Sequence, residues 1–291
     1  MEIGICTTDF PVLTVETLFE RLHAYGFSTI QFNFASVGEE DIPARFSIDM
    51  MRRIRTAASE RQITIAAING TFNMIAPDIR ERKQGIGRFE ALAEACRTLD
   101  CSILSLCTGT RNTAGMWQWH PDNDTDQAWN DLLETARPIL AIADQYQIDL
   151  GVETEASNVV STPGLARRFL DEMNSPRLKI IMDCANLFHK NEAWPENVRP
   201  VIKHAFDLLG RDIILAHGKD ILASPEIVFA SPGKGIVDYD YFLELLKQVG
   251  YNGHMFLHGI KDEAEIPFCV EFMRQKLNDH GFGQRSAATA S

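Results

Sequence analysis

The chain has 291 residues, of which 45% are hydrophobic and 23% are charged, as is usual for a globular protein. Its 40 acidic residues outnumber its 28 lysines and arginines, so the formal net charge is -12. This balance argues against nucleic acids and anionic membranes as partners, because contacts to phosphate groups need clustered lysine and arginine.

Three further features of the sequence favour a cytoplasmic protein. No apolar run is long enough to span a bilayer. The first residues, "MEIGICTTDF", lack the basic and apolar regions of a signal peptide. The six cysteines form neither a CxxC pair nor a zinc-finger spacing, and we expect them to be reduced thiols.

Taken in chain order, eight short β-forming runs alternate with amphipathic helical patterns. The predicted strands cover residues 2–7, 27–33, 63–69, 102–108, 149–154, 179–184, 212–217 and 254–259. Apolar residues in the helical patterns recur at i, i+3, i+4 and i+7, so each helix buries one stripe. The clearest of these patterns cover residues 14–26, 47–62, 84–100 and 126–147. In the first, Thr14 is the predicted N-cap and Gly26 the predicted terminating glycine.

The pattern of the strands predicts the fold class. Most strands show no alternation with polar residues, which indicates a parallel sheet covered by helices on its outer face. Eight strand–helix units in a chain of this length predict an α/β protein with a single (β/α)8 TIM barrel. We place the barrel domain at residues 1–280 and a flexible C-terminal tail at residues 281–291. A doubly wound sheet is the alternative, but "CTTDFP" stands after the first strand in place of a glycine-rich fingerprint.

Each of the last four predicted strands ends on a residue type that binds metals. The residues are Glu153, Asp183, His217 and His258. A barrel enzyme carries its chemistry at the carboxyl ends of its strands, so we expect these four side chains to meet there. Two carboxylates and two imidazoles suit Mn²⁺ or Zn²⁺ best, with Fe²⁺, Co²⁺ or Mg²⁺ as further candidates. Taken singly, each residue has an ordinary structural explanation, and only the coincidence of four predicts a metal site.

These strand ends lie in motifs that resemble the xylose isomerase-like TIM-barrel superfamily. That superfamily includes isomerases and epimerases of sugars and sugar phosphates, an inosose dehydratase and endonuclease IV. The most specific motifs are "GVETE", "MDCANLF", "AHGKD", "SPGKGIVDY" and "GYNGHMFLHG". The stretches "NGTFNM" and "MWQWHPDND" resemble one branch of sugar-phosphate isomerase/epimerase-like proteins.

The resemblance implies roles for the four strand-end residues. Glu153, Asp183 and His217 fall on the first three positions of the superfamily's divalent-metal quartet. His258 stands at the fourth position, where the studied isomerases and epimerases have a second glutamate. In those enzymes the two glutamates exchange protons with an enediolate formed next to a metal-bound carbonyl. Here Glu153 is therefore the expected base, and His258 is the expected fourth ligand or a catalytic acid/base.

The same motifs supply candidate substrate contacts near the strand ends. Lys219 is expected to orient a substrate oxygen. Asp220 is expected to orient His217 by contacting the ring without binding the metal itself. Asn186 occupies a position where many members have histidine. Glu155 and Asn158, after the fifth strand, are candidates to bind substrate hydroxyl groups; helix capping is their alternative role.

Two loops are candidates for the wall of a sugar-binding pocket. The loop after the fourth strand is long and carries Trp117, Trp119 and His120, which suggests a functional loop. Asn73 in "GTFNM" is a further candidate. A cluster at the barrel rim or a subunit contact explains these residues equally well, and the assembly expected for such a contact is a homodimer or homotetramer. "PGKG", residues 232–235, stands where many barrels bind phosphate, although the resemblance implies a structural turn.

Three functions are compatible with the sequence. The first is a metal-dependent isomerase or epimerase of a small sugar, keto-polyol or sugar phosphate. The second is a dehydratase that uses the same platform on a keto-polyol such as an inosose. The third is a binding protein with weak catalysis, which the replacement of the usual glutamate by His258 and the presence of Asn186 favour. The resemblance does not extend to endonuclease IV, which needs additional histidine ligands on earlier strands. Here the third and fourth strands end near Asn69 and Thr108, which argues against a DNA-repair nuclease.

Overall fold

Eight parallel strands close into a barrel in the computed structural model, which describes residues 1–282. The barrel strands are β1 Glu2–Cys6, β2 Thr29–Phe32, β3 Thr64–Asn69, β4 Ile103–Leu106, β5 Asp149–Glu153, β6 Leu178–Asp183, β7 Ile213–Gly218 and β10 His254–Leu257. They pair in the order β1-β10-β7-β6-β5-β4-β3-β2 around the barrel. The predicted (β/α)8 barrel and all eight predicted strands are confirmed. A two-stranded antiparallel ribbon, β8 Asp220–Ile221 with β9 Phe229–Ala230, was not predicted.

Eight α-helices in the described residues surround the barrel. They are α1 Val15–Ala24, α2 Ile48–Glu60, α3 Ile79–Thr98, α4 Asp126–Tyr146, α5 Pro163–Met173, α6 Pro195–Leu209, α7 Tyr239–Gln248 and α8 Ile266–Asp279. The predicted N-cap is confirmed, since the Thr14 hydroxyl accepts a hydrogen bond from the N–H of Thr17 at 3.3 Å. Gly26 follows this helix with a φ of 80°, as expected of a terminating glycine. Helix α3 begins earlier than predicted, because the Asp78 carboxylate caps it by accepting from the N–H of Arg80.

The main hydrophobic core fills the layer between the barrel and the helices. Large aromatic side chains such as Phe19, Phe89, Phe169 and Phe242 are buried there almost completely. Burying one such side chain stabilises the fold by about 1.5–3 kcal/mol relative to leaving it exposed. This layer fixes the helices against the outer face of the sheet and leaves the barrel mouth to the loops.

A smaller cluster fills the interior of the barrel. Its buried members are Cys6, Ala67, Ile181, Leu215 and Phe256. Because side chains alternate along a strand, the residue two positions further on points to the same side. Four of these residues are each followed, two positions later, by a polar residue: Asn69, Asp183, His217 and His258. The alternation therefore brings these polar side chains into the barrel, on top of an apolar plug.

Strand β5 follows the same rule with a glycine in the apolar layer. A Cβ on Gly151 would lie 2.7 Å from Cγ1 of Ile181, so this position faces the filled interior. Glu153, two residues on, then faces inward at the polar level. The apolar plug and the polar level above it are thus built from the same strands.

The end of the described chain packs against the beginning. Phe282 is buried, its N–H donates to the carbonyl of Leu277 at 2.8 Å, and its carbonyl accepts from the amino group of Met1 at 3.2 Å. Of the predicted tail, residues 281–291, residues 283–291 lie outside the described part. Across residues 1–282, none of the helices has both the length and the apolar composition needed to cross a membrane.

Candidate metal and active site

Three predicted ligands meet at the carboxyl ends of adjacent strands. Glu153 ends β5, Asp183 ends β6 and His217 lies near the end of β7. One donor atom from each of the three lies within 4.8 Å of the others, and all three residues are buried. His217 Nδ1 is 3.5 Å from a carboxylate oxygen of Glu153 and 3.5 Å from one of Asp183. We call these three residues the ligand triad.

Two atoms of the ligand triad face its centre with their bonding capacity unused. Among residues 1–282, Asp183 Oδ2 and His217 Nδ1 are buried without a hydrogen-bond partner. The other oxygen of Asp183 accepts from the N–H groups of Ala185 and Asn186 and so fixes the carboxylate in place. Buried polar atoms are normally paired, and a cation held between these atoms would satisfy them. The triad thus fits a divalent metal ion.

The histidine of the triad is held in the orientation that a ligand needs. Its Nε2 lies 3.0 Å from the side-chain oxygen of Gln31 on β2. Because that oxygen can only accept, Nε2 carries the hydrogen and the lone pair of the neutral ring is on Nδ1, which faces the carboxylates. Gln31 in turn donates to Ser105 Oγ at 3.4 Å, and Ser105 Oγ donates to Asn69 at 3.3 Å. A chain of polar contacts therefore crosses the barrel floor and orients His217.

The electrostatics of the triad favour positive charge at its centre. Burial lowers the pKa of the His217 ring, but the carboxylates of Glu153 and Asp183 raise it more strongly, to about 9. Burial raises the pKa of Asp183, yet the Lys219 ammonium and the His217 ring hold it well below its usual range. The same carboxylates that stabilise a proton on the ring would stabilise a metal cation.

The fourth predicted ligand, His258, lies beside the triad and not within it. Its ring centroid is 5.5 Å from that of His217, while its Nδ1 lies 3.3 Å from the Asp9 carboxylate in the loop after β1. The same Asp9 oxygen accepts from the N–H of Gly259 at 3.2 Å, so the loop after β1 is joined to the end of β10. Its role as a fourth metal ligand stays a prediction, and Asp9 is a neighbour that the sequence did not reveal.

Asn186 and Lys219 form a second polar group next to the triad. The Asn186 amide donates to Glu153 Oε1 at 2.5 Å, and Lys219 Nζ donates to Asn186 Oδ1 at 2.7 Å. Lys219 Nζ also lies 3.6 Å from the ring centroid of Phe229, which the short ribbon carries. The backbone of Lys219 is fixed as well, since its carbonyl accepts from the Tyr239 hydroxyl at 2.9 Å. Both residues are buried and face the cavity.

Asp220 has a different partner from the expected one. Its carboxylate accepts from the backbone N–H groups of Ile221, Gly233 and Val237 at 2.9 to 3.0 Å. It therefore holds the loop at residues 231–237, while the residue that supports His217 is Gln31. A structural turn is the geometry found at "PGKG", in agreement with the resemblance.

Three predicted substrate contacts are directed into loop structure and not into the cavity. The Asn158 amide accepts from Gly109 N–H at 2.7 Å and donates to the carbonyl of Met116 at 3.3 Å. The Asn73 amide binds both backbone groups of Thr110. His120 Nδ1 accepts from the N–H of Asp122, so it caps the short helical turn that follows. The reason is common to all three: each side chain satisfies backbone groups of a long connection.

A cavity of about 700 Å³ lies above the ligand triad. Of the predicted substrate contacts, those that line it are Lys219, Asn186, Glu155 and Trp117. Trp119, from the same loop, lines it too. Further lining residues were not predicted as such: Gln31, Asp41, Asn69, Thr71 and Ser105. The alternation of inward-facing side chains along β2, β3 and β4 is the sequence signal that points to Gln31, Asn69 and Ser105.

Comparison with known proteins places the chain in a family. The model of the family described as xylose isomerase-like TIM barrel matches residues 19–276. The L-ribulose-5-phosphate 3-epimerase UlaE of Shigella flexneri serotype 5b is 21% identical over 262 residues, which cover 87% of this chain and 85% of that protein.

Solved structures agree in fold. A D-tagatose 3-epimerase-like protein has a TM-score of 0.75 at 18% identity, covering 96% of this chain and 98% of its own. The IOLI protein, solved with a bound zinc atom, has a TM-score of 0.70 at 16% identity, with coverages of 96% and 98%. At such identities the structures show a shared fold, whereas the family match spans most of the sequence. The chain belongs to the xylose isomerase-like TIM barrel family.

Proposed function

We propose that the protein is a divalent-metal-dependent epimerase or isomerase of a small sugar or keto-polyol. The observation that carries this proposal is the ligand triad, with its two unpartnered atoms, on the floor of the cavity. The relatives support it, since the similar UlaE protein is named as a 3-epimerase of L-ribulose 5-phosphate. The similar IOLI protein was solved with zinc, which supports a divalent metal in this chain.

Glu153, Asp183 and His217 would hold the metal, and Mn²⁺ or Zn²⁺ suits this donor set. When bound, the ion would act as a Lewis acid that makes the hydrogen next to a substrate carbonyl more acidic. Glu153 is the base that we propose for removing this proton. Asn186 fixes one Glu153 oxygen at 2.5 Å, and the Glu153 side chain lines the cavity.

His258 is the second acid/base in this proposal. Its strand, β10, is separated from β5 by β7 and β6, so Glu153 and His258 approach the cavity from different sides of the barrel. Epimerisation needs this arrangement, because one group removes the proton from one face and another group returns it to the opposite face. Asp9, 3.3 Å from His258 Nδ1, would orient the ring.

Lys219 and Glu155 would position the substrate, with Trp117 at the outer wall. Lys219 is 7% exposed, and its ammonium group is held by Asn186. An ammonium at this place stabilises negative charge that develops on a substrate oxygen when the proton leaves.

A dehydratase is the second candidate, and Glu155 is the residue that favours it. Glu155 provides another carboxyl group on the cavity wall, close in sequence to Glu153. An acid at that place is what the loss of a β-hydroxyl as water requires.

The test is solvent deuterium incorporation by the protein loaded with Mn²⁺ or Zn²⁺, using a panel of ketoses, aldoses and inososes in ²H₂O. We expect exchange at the carbon next to the carbonyl, loss of exchange on chelation, and a fall of about 10²–10⁴-fold in the Glu153→Gln variant. Asp149→Asn, at the other end of β5, is the matched control and should exchange normally. Exchange followed by loss of water identifies the dehydratase. A metal-loaded protein that exchanges no hydrogen in any of these compounds contradicts both enzyme functions.

A further inference from the structure

The cavity has a polar floor and an apolar mouth. The ligand triad and its neighbours form the floor, deep among the strand ends. Three side chains, which we call the mouth wall, line the outer part: Trp117, Trp119 and Ile227. Trp117 and Trp119 are 59% and 50% exposed, although large aromatic side chains usually pack into the core. The volume of about 700 Å³ is large enough for a ligand well beyond a single small sugar.

The charges of the cavity are unsuited to a phosphorylated ligand. Among the described residues that line it, the carboxylates are Asp41, Glu153 and Glu155, while Lys219 is the sole lysine and arginine is absent. Proteins bind phosphate with arginine forks, lysines or free backbone N–H groups. A phosphate dianion in this cavity would instead meet like charge at Asp41 and Glu155, which is unfavourable.

The one ammonium group is already engaged at the floor. Lys219 Nζ donates to Asn186 Oδ1 at 2.7 Å and lies 3.6 Å from the Phe229 ring centroid. The side chain is almost fully buried and its backbone is tied to Tyr239. Lys219 is thus held beside the triad, where the reacting carbonyl would lie, and not at the mouth.

The loop after β7, where many barrels bind phosphate, uses its donors internally. Lys234 Nζ donates to Glu265 at 2.6 Å, and Ser231 Oγ donates to the other oxygen of the same carboxylate at 2.5 Å. The N–H of Gly233 donates to Asp220 at 3.0 Å. This loop is therefore closed to a phosphate group as it stands.

From these observations we infer that the substrate is an uncharged sugar joined to a second ring, a neutral glycoside, and not a sugar phosphate. The inference rests on the proposed function in one respect: it places the ring that reacts at the ligand triad. The second ring lies against the mouth wall, where the indole faces of Trp117 and Trp119 pack on its C–H groups. The polar floor then binds the hydroxyl-rich reacting ring, and no negative charge enters the acidic cavity.

Three ketoses with the same fructose unit separate the alternatives. D-Fructose is the unsubstituted sugar, isomaltulose carries a glucose ring on O6, and D-fructose 6-phosphate carries phosphate on the same oxygen. Binding of each to the metal-loaded protein is measured by isothermal titration calorimetry, so that catalysis is not needed for the result. We expect isomaltulose to bind at least about tenfold more tightly than either other compound, the size of effect that an aromatic stacking contact produces.

Variants at the mouth test where the second ring lies. In the Trp117→Ala/Trp119→Ala double variant, we expect the preference for isomaltulose over fructose to fall by about tenfold. Trp194→Ala is the matched control, since Trp194 is a partly exposed tryptophan at the start of α6, and it should keep the full preference. The Asp41→Asn variant should bind fructose 6-phosphate better than the parent protein does.

The outcomes separate this inference from the proposed function. Fructose 6-phosphate binding as tightly as isomaltulose overturns the neutral glycoside, and so does a failure of isomaltulose to bind. An isomaltulose preference that survives in the double tryptophan variant overturns the position of the second ring. Binding with the expected preference but without hydrogen exchange in any compound sinks the proposed chemistry and leaves this inference standing. Hydrogen exchange that is fastest with the phosphorylated sugar supports the proposed chemistry and overturns the neutral glycoside as substrate.

Discussion

At the scale of single residues, the same inward-facing positions that fill the barrel with apolar side chains also deliver its polar ones. Ile181 and Leu215 belong to the apolar plug, and Asp183 and His217 follow them by two positions on the same strands. Because the side-chain period of a strand is two, neither ligand can leave the cavity without a shift of the whole strand. A cation held between the unpartnered atoms of the triad would satisfy both of them.

His258 gives the first prediction at this scale. His258→Gln should lower the rate of hydrogen exchange by about 10²–10⁴-fold, as the loss of a positioned acid/base does. Bound metal should be retained, because the ligand triad is complete without His258. The measurement pairs exchange kinetics with metal analysis of the same sample.

His254→Gln is the control for that variant, since His254 begins the strand that His258 follows and contacts Glu2 at 3.7 Å. It should change neither exchange nor metal content. If His258→Gln instead loses its metal, then His258 is the fourth ligand that the resemblance implied, and its role as a free acid/base is wrong.

The three residues of the ligand triad were predictable from the sequence as a group, whereas their hydrogen-bond partners were not. Glu153, Asp183 and His217 stand out because an ionisable residue closes each of three apolar strands. Asp9 and Gln31 lie in the first two strand–loop units, far along the chain from the residues they contact. Only closure of the barrel between β1 and β10 brings Asp9 to His258, and sequence spacing carries no information on that distance.

At the scale of elements, periodicity identified the strands and missed the ribbon. Strands β8 and β9 have two residues each, too few for an alternation to be seen. Yet the ribbon places Phe229 beneath the Lys219 ammonium and leads into the turn at residues 231–237. Asn73, Asn158 and His120 lie in loops that the sequence identified, and in the structure their side chains bind backbone groups of long connections.

The turn at residues 231–237 gives a prediction on stability. A Cβ added at Gly235 would lie 2.2 Å from Asp220 Oδ1 and 2.3 Å from the carbonyl of Ile221. Gly235→Ala should therefore lower the free energy of unfolding by about 1–3 kcal/mol, the usual range for overpacking a tight site. Urea denaturation measures this change.

Gly87→Ala is the matched control for the turn. Gly87 lies on the exposed side of α3, and a Cβ there would meet nothing within 4 Å. This variant should raise the free energy of unfolding by about 0.5–1 kcal/mol, because alanine favours the helix over glycine. Equal effects of both substitutions would show that the turn at Gly235 is not as tight as described.

At the scale of the whole molecule, the closed barrel is the feature that the sequence predicted best. Eight β-forming runs separated by amphipathic helices have few other ways to bury the apolar faces of both the strands and the helices. The family match over residues 19–276 agrees with that closure. The substrate was beyond the reach of the sequence, because the cavity is shaped by loops whose side chains either face it or fold back, as Trp117 and His120 do.

Removal of the metal should lower the stability of the whole fold. An ion that binds the folded chain and not the unfolded one stabilises it by about 2.7 kcal/mol at a free concentration of 100 times its dissociation constant. For a chain of this size we expect the melting temperature to rise by about 4–5 °C on loading with Mn²⁺ or Zn²⁺ and to return on chelation. If the melting temperature of the His217→Gln variant is the same with and without the metal, the stabilisation is assigned to the triad.

The metal content of the purified protein tests the central claim most directly. After loading with Zn²⁺ or Mn²⁺ and removal of the excess, elemental analysis should find about one equivalent per chain, because the triad forms one compact site. Asp183→Asn should lose most of this metal, whereas Asp207→Asn, an exposed aspartate paired with Lys203, should keep it. Less than about 0.1 equivalent in the unaltered protein, or equal metal in both variants, would contradict a metal site at the strand ends.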